Sequence, residues 1–403
     1  MVEQAFNGLK VLEYSNLVSG PYCSKLLADM GAEVIKIEEP KVGDEARRKG
    51  PFLNNIPHPE KSGLFLYLNT NKLSITLDPG TEAGKKIFED LIKETDILIE
   101  NNPPKLMKDL GLGYENLKEI NPSMIMTSIT PFGQTGAHKN YKAYHLNMYF
   151  GSGLAYQPQT SDKKNGNQPV KAGRFVGDYA CGLTASLATL GALYARRKTG
   201  LGQYVDISEQ EALIALQRVT AVFYANEGMS EFSLSNLSRA MGGLMRCKDG
   251  YVIVTNAEEH QWQAFVKLLG DPEWAEDPKL KNMFSRAMHY RKVEPFISEW
   301  MMNHTKEEIY HKGQAVSCPV AMVNSTDEIV DSEQTKARDF FVEIEHSEAG
   351  RLKYPQAPYR FSRTPWRINR PAPLLGEHNE EVFCKRLDYS KEDLERLAGA
   401  GVI

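Results

Sequence analysis

Leu9-Lys-Val-Leu-Glu-Tyr14, the segment Tyr22 to Met30, and Glu33-Val-Ile-Lys-Ile-Glu38 decide the fold. The first and last are short apolar runs closed by turn residues, Asn16-Leu-Val-Ser-Gly-Pro21 and Pro40, and read as strands. The segment between them reads as a helix ending at Gly31, where helices commonly place glycine. Strand, helix and strand at this spacing make a βαβ unit, hence a parallel sheet with a right-handed crossover. The turn after the first strand lacks Gly-x-Gly-x-x-Gly, and Gly20 is followed by Pro21, which argues against a nicotinamide dinucleotide site.

The same texture continues outward. Leu73-Ser-Ile-Thr-Leu77, Asp96-Ile-Leu-Ile-Glu100, Met124-Ile-Met-Thr-Ser-Ile129 and Gln203-Tyr-Val-Asp-Ile207 read as further strands, with a helix over Thr81 to Lys93. Asn101-Asn-Pro-Pro104 follows a strand at the edge where open α/β sheets bind ligands, and reads equally as an ordinary turn. Ser208 with Glu211 three residues on has the pattern of a capping box. Arg196-Arg-Lys-Thr-Gly-Leu-Gly202 is either a cation-decorated helix end or a phosphate contact. From Val222 the sequence turns polar and less periodic, with an Asp-Gly hairpin at Lys248-Asp-Gly250. The expected division is a large domain over residues 1–205, a linker over 206–225, a small α+β domain over 226–325 and a return segment over 326–403.

Composition narrows the class of function. The chain has 403 residues, 41% hydrophobic and 25% charged, with a formal net charge of -4, so no basic excess points to nucleic acid. No apolar run approaches the roughly 20 residues that span a membrane. Five dispersed cysteines without Cys-x-x-Cys, and an N-terminus without a signal-peptide pattern, lead us to expect a cytoplasmic protein. The nine histidines form no ligand-spaced cluster, so no metal is expected.

One acidic residue stands out. In Gly173-Arg-Phe-Val-Gly-Asp178-Tyr-Ala-Cys-Gly182, Asp178 lies between small residues just ahead of Leu183-Thr-Ala-Ser-Leu-Ala-Thr-Leu-Gly-Ala-Leu-Tyr-Ala195. That run is small or apolar on nearly every face, so its helix can be buried and closely approached. Asp178 is then either an N-cap or a reactive carboxylate at a helix N-terminus.

Several stretches together resemble the family III CoA-transferases, which include the formyl-CoA:oxalate and carnitine enzymes. They are Gly8-Leu-Lys-Val-Leu-Glu, Ser19-Gly-Pro-Tyr, Leu27-Ala-Asp-Met-Gly-Ala-Glu-Val-Ile-Lys-Ile-Glu38, Asn71-Lys-Leu-Ser-Ile, Leu110-Gly-Leu-Gly-Tyr-Glu-Asn-Leu and Phe132-Gly-Gln-Thr-Gly. Gly177-Asp178, Lys198-Thr-Gly-Leu-Gly-Gln and Ala372-Pro-Leu-Leu-Gly-Glu-His complete the series. The resemblance implies an α/β fold in which a large Rossmann-like parallel-sheet domain, built from both chain ends, carries a smaller inserted α+β domain. It also implies an interlocked homodimer, acyl-CoA and a free carboxylic acid as substrates, no permanently bound cofactor, and Asp178 as nucleophile. CoA contacts are implied at Leu17, Val18 and Ser19, at Asn71, Lys72, Leu73 and Ser74, at Asn101, Asn102 and Pro103, and at Lys142 and Tyr144. Gly242 and Gly243 match a glycine loop that covers the site.

The match is uneven. Val18 stands where the oxalate enzyme offers a glutamine, and Glu39 and Asp109 stand where it has arginines on the CoA phosphates. Lys36, Lys72, Lys105 and Lys108 are the nearby replacements. The related α-methylacyl-CoA racemases are the rival reading, with His145 beside Tyr144 as the proton-exchanging histidine.

Overall fold

The computed structural model describes residues 3–156, 169–217, 222, 224–226, 228 and 242–403. It divides into two units, Met1–Val222 with Asp339–Ile403, and Phe223–Arg338. The segment 206–225, expected as a linker, instead contains the end of a strand and a helix of the first unit. The second unit runs on past residue 325 through the helices Thr326–Asp331 and Glu333–Ala337.

The first unit is organised by six parallel strands, β1 (Lys10–Tyr14), β2 (Glu33–Glu38), β3 (Lys72–Thr76), β4 (Ile97–Glu100), β5 (Ile125–Thr130) and β6 (Tyr204–Ser208). Their order is β3-β2-β1-β4-β5-β6. The order reverses between β1 and β4, and the crevice beyond their C-terminal ends is where such sheets bind ligands.

Alternate residues of each strand face opposite layers, and both layers are apolar. Val11, Val34, Ile97, Ile99 and Ile125 pack on Cys23 and Leu27 of α1 (Ser19–Ala28). Ala185, Ala192 and Leu193 complete that layer. They come from the long helix Val176–Thr199. Leu12, Ile35, Leu73, Leu98 and Met126 face the other way, onto Ile87, Phe88 and Leu91 of the helix Glu82–Ile92. The return segment closes that second layer with Val382, Phe383, Val402 and Ile403. A hairpin, β10 (Phe341–His346) with β11 (Gly350–Pro355), also belongs to this unit and was not legible in the sequence.

Buried charge runs beneath the C-terminal ends of β1, β2 and β3. Glu13 accepts from Lys36 Nζ at 2.7 Å and Lys72 Nζ at 2.8 Å, and from the hydroxyls of Ser15 and Ser24. Lys36 also meets Asp44 at 2.7 Å and the Ser15 carbonyl at 2.9 Å. The side chains of Glu13, Lys36, Lys72 and Asp44 are fully shielded from water. Lys36 and Lys72, proposed from the sequence as candidate phosphate contacts, are therefore interior residues. A lysine in a βαβ core keeps its charge only with carboxylates in reach, and here both find Glu13.

The second unit has its own core. A three-stranded antiparallel sheet, in the order β7 (Gly242–Cys247), β8 (Gly250–Thr255), β9 (Val320–Met322), packs Val252 and Val254 against Trp262, Phe265, Ile297 and Ile309.

Two outcomes follow from this packing. On the long helix, a Cβ at Gly182 would stand 2.6 Å from the Ser19 carbonyl oxygen, whereas a Cβ at Gly191 meets nothing within 4 Å. Gly182→Ala should therefore destabilise by about 1–3 kcal/mol through overpacking, while Gly191→Ala should stabilise by about 0.5–1 kcal/mol. Urea titration of the two variants tests the contrast.

Glu13→Gln should cost about 3–5 kcal/mol, because it leaves buried lysines without their counter-charge. Burial alone favours the neutral acid, but Lys36 and Lys72 outweigh it and hold the Glu13 carboxyl down at about 2, from an ordinary 4.5. The stabilising contribution is thus fully present above about 4.5 and is lost as the pH falls toward 2. Acid unfolding of the Gln variant should lack that dependence.

Candidate active site

The site begins with a backbone outlier. Leu17, at the C-terminal end of β1, has φ of +64°, a left-handed conformation that costs a side-chain-bearing residue about 1–2 kcal/mol. Asp44 holds it there by accepting from the Leu17 N–H at 2.9 Å, and Asp44 is itself fixed by Lys36. Asn101, after β4, spans the crevice. It accepts from the Asn16 N–H at 2.8 Å and donates to the Asn16 carbonyl at 2.8 Å and to Ser19 Oγ at 3.3 Å. Two loops that are distant in sequence become one surface at the switch point.

α1 starts at that surface, with Val18 as its N-cap and Ser19 and Gly20 in its first turn. We number the helices that build the rest of the site α2 (His145–Gly151), α3 (Val176–Thr199) and α4 (Glu209–Ile214). Gly182 lets the Ser19 carbonyl rest directly on α3 one turn beyond Asp178. Gly177 does the same on the other flank, where a Cβ would touch Leu213 at 3.3 Å and Tyr149 at 3.8 Å. A helix with fewer small residues would be held off from both neighbours.

Asp178 is not the cap of α3. Phe175 occupies the N-cap position without a side-chain cap, and Asp178 stands in the first turn. Its Oδ2 atom is buried and finds no hydrogen-bond partner among the described residues. Burial, with Glu209 adding repulsion, pushes its carboxyl up to about 7 against the pull of its own backbone N–H and of Lys171. A capping aspartate is lowered by the N–H groups that it accepts from. Asp178 is the opposite, a carboxylate under electrostatic tension.

Aromatic rings line its surroundings. Tyr179 meets Tyr22 edge-on at 4.9 Å and Tyr67 at 6.2 Å. His145, the first residue of α2, packs edge-on against Phe175 at 4.9 Å. Burial, with Lys171 and Lys49, lowers its titration, so it is neutral near pH 7. Lys171 Nζ is engaged by the carbonyl oxygens of Ala172 and Arg174.

The other residues singled out from the sequence separate into two groups. Leu17 and Asn101 converge half-buried at the crevice, whereas Ser19 is buried beneath them and Val18 is core, packed with Ala46, Leu64 and Phe65. Lys142 and Tyr144 lie exposed on the segment that leads into α2, where Asn147 caps the Tyr144 N–H. Pro103, Lys105 and Lys108 are exposed beyond β4.

Lys72, Leu73 and Ser74 are buried instead, and the half-buried Asn71 is tied to the return segment. Asn71 accepts from the N–H groups of Asn369 and Arg370, Ser74 binds Glu38, and Leu73 is core. Asn102 is likewise a buried structural tie, donating to the Tyr14 carbonyl. The return segment takes up Asn71 and Ser74, while Lys72 is held by Glu13, Asn69 and the Pro21 carbonyl. Arg196 proves structural as well, paired with Asp96 at 2.9 Å. Gly242 and Gly243 open β7 in the second unit with φ of +100° and +130° and pair with Thr255 and Val254, so they are strand residues rather than the glycine loop the resemblance implied.

Sequence reasoning passed over Asp44, Gly182 and Glu209. Gly182 carried a visible signal, a glycine one helical turn after the singled-out aspartate. The other two are defined only by contacts from distant segments.

Comparisons with known proteins agree with one another. The family model described as CoA-transferase family III matches residues 6–379. A formyl-CoA:oxalate CoA-transferase from Streptomyces coelicolor is 32% identical, with 100% of each chain covered. A succinyl-CoA–D-citramalate CoA-transferase from Chloroflexus aurantiacus is 29% identical, covering 98% of this chain and 97% of that one. The crystal structure of a CAIB/BAIF family protein from Brucella suis superposes with a TM-score of 0.84 at 27% identity, covering 95% of this chain and 99% of that one. With a strained turn, an aspartate whose Oδ2 is buried and unpartnered, and a reversed sheet order already pointing to one crevice, the match along nearly the whole length settles the grouping: the chain belongs to CoA-transferase family III.

Proposed function

We propose that this enzyme moves CoA from an acyl-CoA to a free carboxylic acid through a covalent thioester on Asp178. The observation that carries the reading is the buried, unpartnered Oδ2 atom of a carboxylate in the first turn of α3. In the first step an Asp178 oxygen bonds to the thioester carbonyl carbon, the C–S bond breaks, and the electron pair leaves on the CoA thiolate. The thiolate then attacks the carboxyl carbon of Asp178, and the donor acid departs as a carboxylate. An incoming carboxylate reverses the sequence and leaves as the new acyl-CoA.

The bonds broken and made are alike, so the chemistry needs neither ATP nor a resident cofactor. What the protein supplies is an ionised carboxylate, donors for the oxyanion and exclusion of water, because water would hydrolyse the anhydride. The first turn of α1 rests on Gly182 in the second turn of α3, and the unpaired N–H groups of these two helix starts are the candidate oxyanion donors.

The turn at Leu17 with Asn101 grips the pantetheine end, and Lys142, Tyr144, Pro103, Lys105 and Lys108 make the outer contacts. Lys105 and Lys108 take the phosphates in place of the absent arginines at Glu39 and Asp109. The acceptor is a small carboxylic acid, the class named for the oxalate and citramalate relatives. Val18 and the Tyr22–Tyr179 pair favour an acid other than oxalate.

The working form is a homodimer. Val176, Leu183, Leu187 and Tyr194 make an exposed apolar stripe along α3, with Leu187 72% exposed, and such a stripe calls for a covering surface. A cytoplasmic setting suits its five unpaired cysteines.

Asp178→Ala should lower acyl exchange by roughly 10⁴-fold or more while leaving the fold intact. Incubation with acyl-CoA followed by hydroxylamine trapping should mark Asp178 by mass in the wild type only. A racemase using His145 would leave Asp178 unmarked and exchange the substrate α-proton for deuterium. Attack requires the ionised form of a carboxyl that titrates at about 7, so the rate should rise with pH to a plateau above that value. Stopped assays across the range check the midpoint.

A further inference from the structure

The segment His138-Lys139-Asn140-Tyr141-Lys142-Ala143-Tyr144 carries a ring at every third position, with a lysine after each of the first two. It follows the C-terminal end of β5, and β5 pairs in parallel with β4. The segment therefore leaves the same edge of the sheet as the turn at Asn101, the edge where such sheets bind ligands. Two contacts fix its base. Asp206 of β6 accepts from the Gln134 N–H with both carboxylate oxygens, at 3.1 and 3.0 Å. Phe132 packs on Met148, Cys181, Ala212 and Leu213, a cluster that includes α3 one turn past Asp178.

From that base the rings build outward. His138 meets Phe132 edge-on at 5.6 Å, and Tyr141 meets it edge-on at 6.4 Å. His138 and Tyr141 stack on each other, with centroids 4.7 Å apart and planes inclined by 23°. The Tyr141 N–H donates to the His138 carbonyl at 2.8 Å, which closes the turn under the stack. Tyr141 nevertheless stays 62% exposed, so the face turned away from His138 is open. A lone exposed ring needs no explanation, but a stacked pair braced by a third ring is a surface on which another flat ring can rest. Lys139 and Lys142 are exposed beside it, and neither pairs with a carboxylate among the described residues.

We propose that the His138–Tyr141 pair is the platform on which the adenine base of CoA stacks, with Lys139 and Lys142 beside its phosphates. The proposal rests on acyl-CoA being the donor, and not on the covalent role of Asp178. Adenine is the one flat ring system in CoA, and an aromatic face holds a base without reading its edges. The pantetheine arm keeps that base far from the thioester, so it belongs at the rim of the crevice and not among the buried groups around Asp178. A nucleic-acid base is the poorer occupant, because the chain has a formal net charge of -4. Every CoA species in the transfer carries the same adenosine end. A platform for it holds CoA in place while the acids exchange, and favours all bound states alike.

The test is equilibrium binding of two probes by calorimetry: CoA, and 4′-phosphopantetheine, which lacks the adenosine. Tyr141 is exposed, so its substitution should leave the fold intact. Tyr141→Ala should weaken CoA binding by roughly tenfold, the effect of losing one stacked base, and leave 4′-phosphopantetheine binding unchanged. Tyr141→Phe should bind CoA as the wild type does, because stacking needs the ring and not the hydroxyl. Wild-type affinity for CoA in Tyr141→Ala would overturn the proposal. Equal weakening of both probes would overturn it too, by assigning the stack to the shape of the loop alone. Free CoA binds without acylating Asp178, so failure of the hydroxylamine label would count against the nucleophile and not against the platform.

Discussion

Glu13, Lys36 and Asp44 meet out of reach of water, and the turn that carries the site hangs from them. Asp44 spends one oxygen on Lys36 and the other on the Leu17 N–H, so the left-handed turn is held from the interior of the sheet. Such a buried ladder is weak evidence for stability, since apolar residues of the same volume often serve as well. Its value here is geometric. Ion pairs with fixed partners place a strained backbone where packing alone would let it relax. Glu38 and Arg47 extend the ladder toward the return segment, where Arg47 donates to the Pro373 carbonyl at 3.1 Å.

The second constraint is proximity. α1 and α3 approach so closely that Gly182 has no room for a methyl group, and that contact lays the first turn of α1 on the second turn of α3. Asp178 sits among them with burial and a like charge against it. A carboxylate made comfortable by several hydrogen bonds would be a poor nucleophile, because attack would have to break them. Asp178 is placed the other way: its surroundings oppose its charge, as the proposed covalent role would require.

The family resemblance and the structure correct each other in the grip on CoA. Matched stretches around Lys72 suggested direct contact, yet this part of the chain is sealed beneath the return segment. Such stretches share a fold, and a motif that recurs for folding reasons looks the same in a sequence as one that recurs for binding. The exposed lysines beyond β4 are what remains on the solvent side of the crevice.

The sequence by itself determined the strands β1 to β6, the helix that follows β1 and the long small-sided helix at Asp178. Each rests on local periodicity and turn chemistry, which act over a few residues. It also marked Asp178, because a carboxylate flanked by glycines before such a helix is conspicuous. Only the tertiary structure decided the strand order, the interior fate of Lys36 and Lys72, the join of Asn16 to Asn101 and the stacking of His138 on Tyr141. The reason is physical: a lysine or a glutamate carries the same letter whether it is solvated or buried, and its charge acquires a role only from groups that the fold brings to it from elsewhere in the chain.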